Sequence, residues 1–127
     1  MQKIVLLVDD MLMIHRIVGQ VLKDSGYKVL KAENGKIGYE MAKTWKPDLI
    51  IMDIEMPVMD GFEATRLIKS DAAICHIPLI ILTSLGSEDD MSKAEEAGAN
   101  YFLNKPLSRD DLIKTVDGLL GSANSGM

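Results

Sequence analysis

Asp48-Leu49-Ile50-Ile51-Met52-Asp53 is four large apolar residues held between two carboxylates, and the segment Ile54-Glu55-Met56-Pro57-Val58-Met59-Asp60-Gly61 follows at once. Such a run, too short for a helix and without alternation, reads as a strand buried on both faces. Its abrupt stop at Asp53 delivers one acid to the edge of a sheet. The chain repeats the device near its start, where Ile4-Val5-Leu6-Leu7-Val8 runs straight into Asp9-Asp10. Two buried strands ending in acids predict one pooled acidic site.

Working outward, short apolar runs alternate with amphipathic stretches. The first strand is Lys3 to Val8. Ile14, Ile17, Val18, Val21 and Leu22 follow at helical spacing, with Gly26 as a C-terminal cap. Tyr27 to Ala32 is a more polar strand, which suits a sheet edge. Ile37, Met41 and Trp45 mark a second helix stopped by Pro47, and the third strand is Asp48 to Asp53. Asp60 with Glu63 forms an Asp version of a capping box for a helix carrying Phe62, Leu67 and Ile68. Pro78 to Thr83 is a fourth strand. Ser87 with Asp90 opens an Ala-rich helix ending near Gly98. Asn100 to Asn104 is a short fifth strand, and Ser108 with Asp111 opens a last helix on Leu112, Val116 and Leu119. Five strand–helix units predict an α/β fold, a doubly wound parallel sheet with helices on both faces. Ligands of such sheets bind beyond the carboxyl ends of the strands. The residues that matter are therefore Asp9, Asp10, Asp53, Thr83, Ser84 and Lys105.

Composition narrows the function. At 127 residues the chain suits one domain, and 47% apolar residues exclude a disordered one. A net charge of -5 without a basic block argues against nucleic acid. Apolar runs of about half a dozen residues cannot cross a bilayer, and Met1-Gln2-Lys3 leaves no room for a signal peptide. Cys75 is the sole cysteine, which fits a reducing cytoplasm, and it is expected to be buried or half-buried. Nine Met against six aromatics predict an adaptable core. Residues 122–127 are expected to be a flexible tail after a domain of residues 1–121.

Asp9, Asp10 and Asp53 would repel one another unless a cation or protons intervene. Mg²⁺ fits a cluster of oxygen donors that lacks His and Cys, and it leaves positions for phosphate oxygens. Lys105 and Thr83 could pair with phosphoryl oxygens, and a carboxylate such as Asp53 can itself become an aspartyl-phosphate.

These residues resemble the receiver domain of bacterial two-component response regulators over about Lys3 to Leu120. The likeness is carried by Val8-Asp9-Asp10, by Asp53 in Asp-Ile-Glu-Met-Pro-Val-Met-Asp-Gly, by Leu82-Thr83-Ser84 and by Lys105-Pro106. It implies a flavodoxin-like fold with strand order 2-1-3-4-5 and five helices. It further implies Asp53 as phospho-acceptor, Asp10 as a direct Mg²⁺ ligand, Asp9 assisting, and Glu55 contributing a backbone carbonyl. By the same likeness Thr83 moves to the phosphoryl group, Ser84 keeps a position that is usually small, Lys105 pairs with a phosphoryl oxygen, Pro106 is cis, and Phe102 swings inward. Phe102 is often Tyr in the family, and Glu55 places an acid beside a site that must accept a dianion. The resemblance implies a free-standing, chemotaxis-regulator-like protein that is not an enzyme but assists its own phosphorylation and dephosphorylation. Its partners would be a histidine kinase or histidine phosphotransfer protein and a downstream protein target, and it would be a monomer or a weak activation-dependent dimer.

Three rival readings fit the sequence less well. A haloacid-dehalogenase-type phosphatase needs a second Asp where Glu55 stands and a Thr where Pro57 stands. A flavodoxin-like cofactor binder needs a Ser-, Thr- and Gly-rich loop where Met11-Leu12-Met13-Ile14 stands. A receiver-fold docking module without phosphorylation would have no use for Asp9, Asp10, Asp53, Thr83 and Lys105 together.

Overall fold

The computed structural model describes residues 2–84, 86–105 and 108–121. Strands and helices alternate strictly: β1 (Ile4–Val8), α1 (Leu12–Asp24), β2 (Lys28–Ala32), α2 (Gly35–Trp45), β3 (Leu49–Met52), α3 (Gly61–Ser70), β4 (Leu79–Thr83), α4 (Glu88–Ala97), β5 (Tyr101–Asn104) and α5 (Arg109–Leu120). All strand pairs are parallel, and the sheet order is β2-β1-β3-β4-β5. The polar strand β2 lies at an edge, as its composition predicts, and β5 forms the other edge.

Alternate residues of the central strands feed two cores. Leu6, Val8, Ile50, Met52, Leu79 and Ile81 face one side, where Ala42 of α2, Ile68 of α3 and Ala94 of α4 cover them. Val5, Leu7, Leu49, Ile51, Ile80 and Leu82 face the other, against Val18 and Leu22 of α1 and Leu112 and Val116 of α5. Burial on both faces is why these strands read as unbroken apolar runs.

The helices start where the capping residues place them. Asp60 accepts the Glu63 N–H at 2.9 Å, Ser87 the Asp90 N–H at 3.1 Å and Ser108 the Asp111 N–H at 3.0 Å. Asn34 does the same for α2 through the Ile37 N–H at 2.9 Å. After α1, Gly26 takes a left-handed φ of 95° and its N–H reaches the Lys23 carbonyl, completing the cap.

Large residues mark α2, yet small ones bury it. Gly35, Gly38 and Ala42 are its buried positions, whereas Ile37 and Trp45 are exposed. A Cβ on Gly38 would stand 2.8 Å from Val8 Cγ2, so α2 approaches β1 too closely for a side chain there. Ile17 of α1 and Leu67 of α3 likewise lie outside the buried stripes expected of them. Cys75 corrects the expectation of burial. In the turn between α3 and β4, Ile74 and Ile77 point inward and leave Cys75 exposed between them. The expected tail 122–127 lies outside the described residues.

Candidate functional site

The sheet order reverses between β1 and β3, and the acids sit just beyond the carboxyl ends of these neighbours. The ladder continues past the strands: the Asp9 N–H donates to Ala32 O, Asp53 N–H to Val8 O and Lys105 N–H to Thr83 O, at 3.0, 2.9 and 2.7 Å. The backbones that carry the site are therefore held as firmly as the strands. One carboxylate oxygen from each of Asp9, Asp10 and Asp53 can be chosen so that all lie within 4.8 Å of one another.

The three acids differ in environment. Asp9 is 1% exposed, and both its oxygens are engaged: Oδ1 accepts the Met11 N–H at 2.9 Å and Oδ2 accepts Lys105 Nζ at 2.9 Å. Asp10 is exposed at the mouth of the cleft. Asp53 is 8% exposed, and its Oδ1 stands 3.7 Å from Lys105 Nζ. Burial pushes the Asp53 carboxyl above its ordinary pKa, and the Asp9 charge pushes it further. The Lys105 ammonium, the Ile54 N–H and the Thr83 hydroxyl pull it back without cancelling the rise. Among the described residues, one ammonium, Lys105, is ion-paired with this cluster of three carboxylates, through Asp9 and Asp53. Oxygen donors alone, converging in one crevice, suit a small hard divalent cation.

Each remaining expected residue has a definite place. Thr83 ends β4, is buried and hydrogen-bonds Asp53 through its hydroxyl. Ser84 is exposed and shares an apolar groove between α1 and α5 with Lys105. Glu55 is exposed on the outer side of the cleft, with Asp10, Asp60 and Lys93 around the same opening. Phe102 is half-buried on β5 and packs against the α2–α3–α4 core. The expectation for Pro106 lies outside the described residues, as does Leu85.

Gly61 is a further requirement of the site. Its N–H donates to Ile54 O at 2.8 Å, and a Cβ on it would meet Asp53 O at 2.0 Å. The loop after β3 folds back so tightly that no side chain fits. The Asp60-Gly61 pair that ends the quoted motif carries that signal in the sequence. Asp9 accepting the Met11 N–H had no such signal.

A family model for the response regulator receiver domain matches residues 5–117. The chemotaxis protein CheY of Halobacterium salinarum is 40% identical over 120 residues, which cover 94% of this chain and 98% of that protein. Protein PilH of Pseudomonas aeruginosa is 42% identical over 100 residues, 79% of this chain and 83% of the relative. Among solved structures, the receiver domain of a sensor histidine kinase from Pseudomonas aeruginosa PAO1 superposes with a TM-score of 0.89 at 30% identity, over 96% of this chain and all of that one. It carries a magnesium ion coordinated in its active-site cleft. The chain belongs to the response regulator receiver family, and its sheet order and helix count are those of the CheY-like structures it resembles.

Proposed function

We propose that this receiver takes a phosphoryl group from a phosphohistidine onto Asp53 and uses the change to alter a protein-binding surface. One observation carries the reading: Lys105 Nζ lies 2.9 Å from Asp9 and 3.7 Å from Asp53 in the crevice where three carboxylates converge. A carboxylate oxygen of Asp53 attacks phosphorus, the P–N bond to the imidazole breaks, and that nitrogen leaves with the bonding electrons. Lys105 pairs with an oxygen of the transferring group, and Asp9 keeps the ammonium in place meanwhile. Asp10, Asp53 and the Glu55 carbonyl would hold Mg²⁺, with Asp9 assisting, and the ion would supply the remaining neutralisation of the phosphoryl oxygens. The donor set supports this assignment, because it is all oxygen and, among the described residues, sets three carboxylates against the one ammonium paired with them.

The Thr83 hydroxyl already faces Asp53, so a short movement brings it to a phosphoryl oxygen. Phe102, half-buried beside the concavity between α4 and β5, turns inward as Thr83 moves. The surface of α4, β5 and α5 then differs between the two states and is read by a downstream protein. The phosphoryl donor is a histidine kinase or a histidine phosphotransfer protein. The receiver unit of residues 1–121 acts in the cytoplasm as a monomer or weak activation-dependent dimer, and turns over no substrate besides its own acyl phosphate. Among the described residues no helix is long and apolar enough to cross a membrane.

The test is covalent labelling with acetyl phosphate and Mg²⁺. The native chain should gain one phosphoryl group, sensitive to hydroxylamine as acyl phosphates are, and Asp53→Asn should gain none at that position. A native phosphoryl group that maps to a residue other than 53 would overturn the assignment, and labelling of neither protein would overturn it and leave a docking module.

A further inference from the structure

The groove between α1 and α5 is a cavity that the phosphoryl chemistry does not use. Ile14, Ile17, Val18 and Val21 of α1, Leu82 of β4 and Leu112 of α5 line a volume of about 400 Å³, within the range of small-molecule sites. Ile17 is 58% exposed, and Ile14 and Val21 are half-buried, so the two helices do not close over this apolar wall. Leu12 and Met13 are more exposed still, yet neither is among the lining residues. The cavity is therefore a recess between two helices and not merely the outward side of α1.

Among the described residues, the polar part of the lining is Ser84, Lys105 and Arg109, with no acid. The Lys105 ammonium is spent on Asp9 and Asp53, which leaves Arg109 as the cation that a ligand can reach. Its guanidinium bridges to Asp24, the last residue of α1, at 3.6 Å, and both side chains are exposed. A pair that long and that well solvated contributes little, so Arg109 exchanges it for another carboxylate at small cost. Asp24 also accepts Gln20 Nε2 at 2.8 Å, and so keeps a partner when Arg109 turns away.

We infer that this groove binds an amphiphilic monoanion, a small molecule with a medium-length hydrocarbon body and one carboxylate. The hydrocarbon lies against Val18, Val21 and Leu112, where a polar body would strand its hydrogen-bonding groups. The carboxylate takes the Arg109 guanidinium, whose planar fork matches it. Charge complementarity selects the class of ligand. A cationic amphiphile meets Arg109 as a like charge, and a neutral one gains the apolar contact alone.

Octanoate, octanol and octylammonium serve as probes of one body and three charges, each used below its micelle-forming concentration. They are titrated into the isotope-labelled full chain, and binding is read from backbone amide shifts. Octanoate should shift the amides between Ile14 and Val21 and around Leu112 saturably, and bind about fivefold tighter than octanol. Octylammonium should bind more weakly than octanol. Arg109→Gln should bring octanoate down to the level of octanol, whereas Asp24→Asn, which removes the competing carboxylate, should tighten octanoate about twofold. Both positions are exposed, so neither variant threatens the fold. Val21→Phe, which fills the groove, should weaken all three probes. No saturable shift with octanoate, shifts clustered on another surface, equal binding of octanoate and octanol, or a preference that survives Arg109→Gln would overturn the inference. A dimer of the native chain, seen by sedimentation and dissolved by octanoate, would assign the groove to a second copy and overturn it too.

Discussion

Asp53 costs the fold something at neutral pH. Its folded-state pKa is raised above the ordinary carboxylate value, chiefly by burial and next by Asp9. The folded chain therefore holds a proton at this residue more readily than the unfolded chain does. The contribution of Asp53 to stability is most favourable in acid and falls as pH rises from the ordinary value through the raised one. In metal-free solution at pH 7, Asp53→Asn should raise the melting temperature by a few degrees. The gain over the native chain should vanish as the pH falls below the ordinary carboxylate value, and paired thermal scans across that range check both parts. The acids and Lys105 were legible in the sequence because each follows a strand-like apolar run. The closer pairing of Lys105 with Asp9 than with Asp53 was not, since it depends on where a flexible side chain just beyond β5 crosses to the end of β1. The raised pKa follows from the same packing.

At the scale of elements, caps were legible and helix phase was not. Asp60, Ser87 and Ser108 act through residues three positions on, so a local pattern suffices to find them. The inward face of α2 is set by how near it lies to β1, which no local pattern encodes, and so the large residues Ile37 and Trp45 misled. Gly38→Ala makes the point quantitative. Helix propensity favours Ala by about 1 kcal/mol, whereas overpacking against Val8 costs about 1–3 kcal/mol. We expect a net loss of about 1 kcal/mol in urea denaturation. The β3–α3 loop offers the reverse case. Val58 sits at φ 70°, unfavourable for a β-branched residue, within a tight turn closed by the Met59 N–H on Pro57 O at 2.7 Å. Val58 is largely exposed, so little packing is at stake. Val58→Asn should stabilise the chain by about 1 kcal/mol in the same assay; an unchanged midpoint would mean the turn carries no such strain.

The whole molecule is two cores sharing one sheet, and the shared strands make it a single cooperative unit. Ile50 and Ile51 are adjacent in β3 but belong to opposite cores. Ile50→Ala and Ile51→Ala should each destabilise by about 2–5 kcal/mol. Each should shift one transition, with Trp45 fluorescence and far-ultraviolet circular dichroism still coinciding; a transition that splits in either variant would mean that the two faces unfold separately. Fold class and strand limits came through in the sequence because β1, β3 and β4 are buried on both sides and therefore continuously apolar. The meeting of α4 with β5 is a matter of assembly, and the concavity between them becomes visible only once the helix is placed against the strand. The same assembly puts the sole thiol to practical use. Cys75 is exposed ahead of β4, at the sheet end opposite the acids, roughly 17 Å away along a five-residue strand. A maleimide dye or spin label attached there would mark every molecule once, clear of the phosphorylation chemistry, and make the native chain its own reporter for single-molecule work.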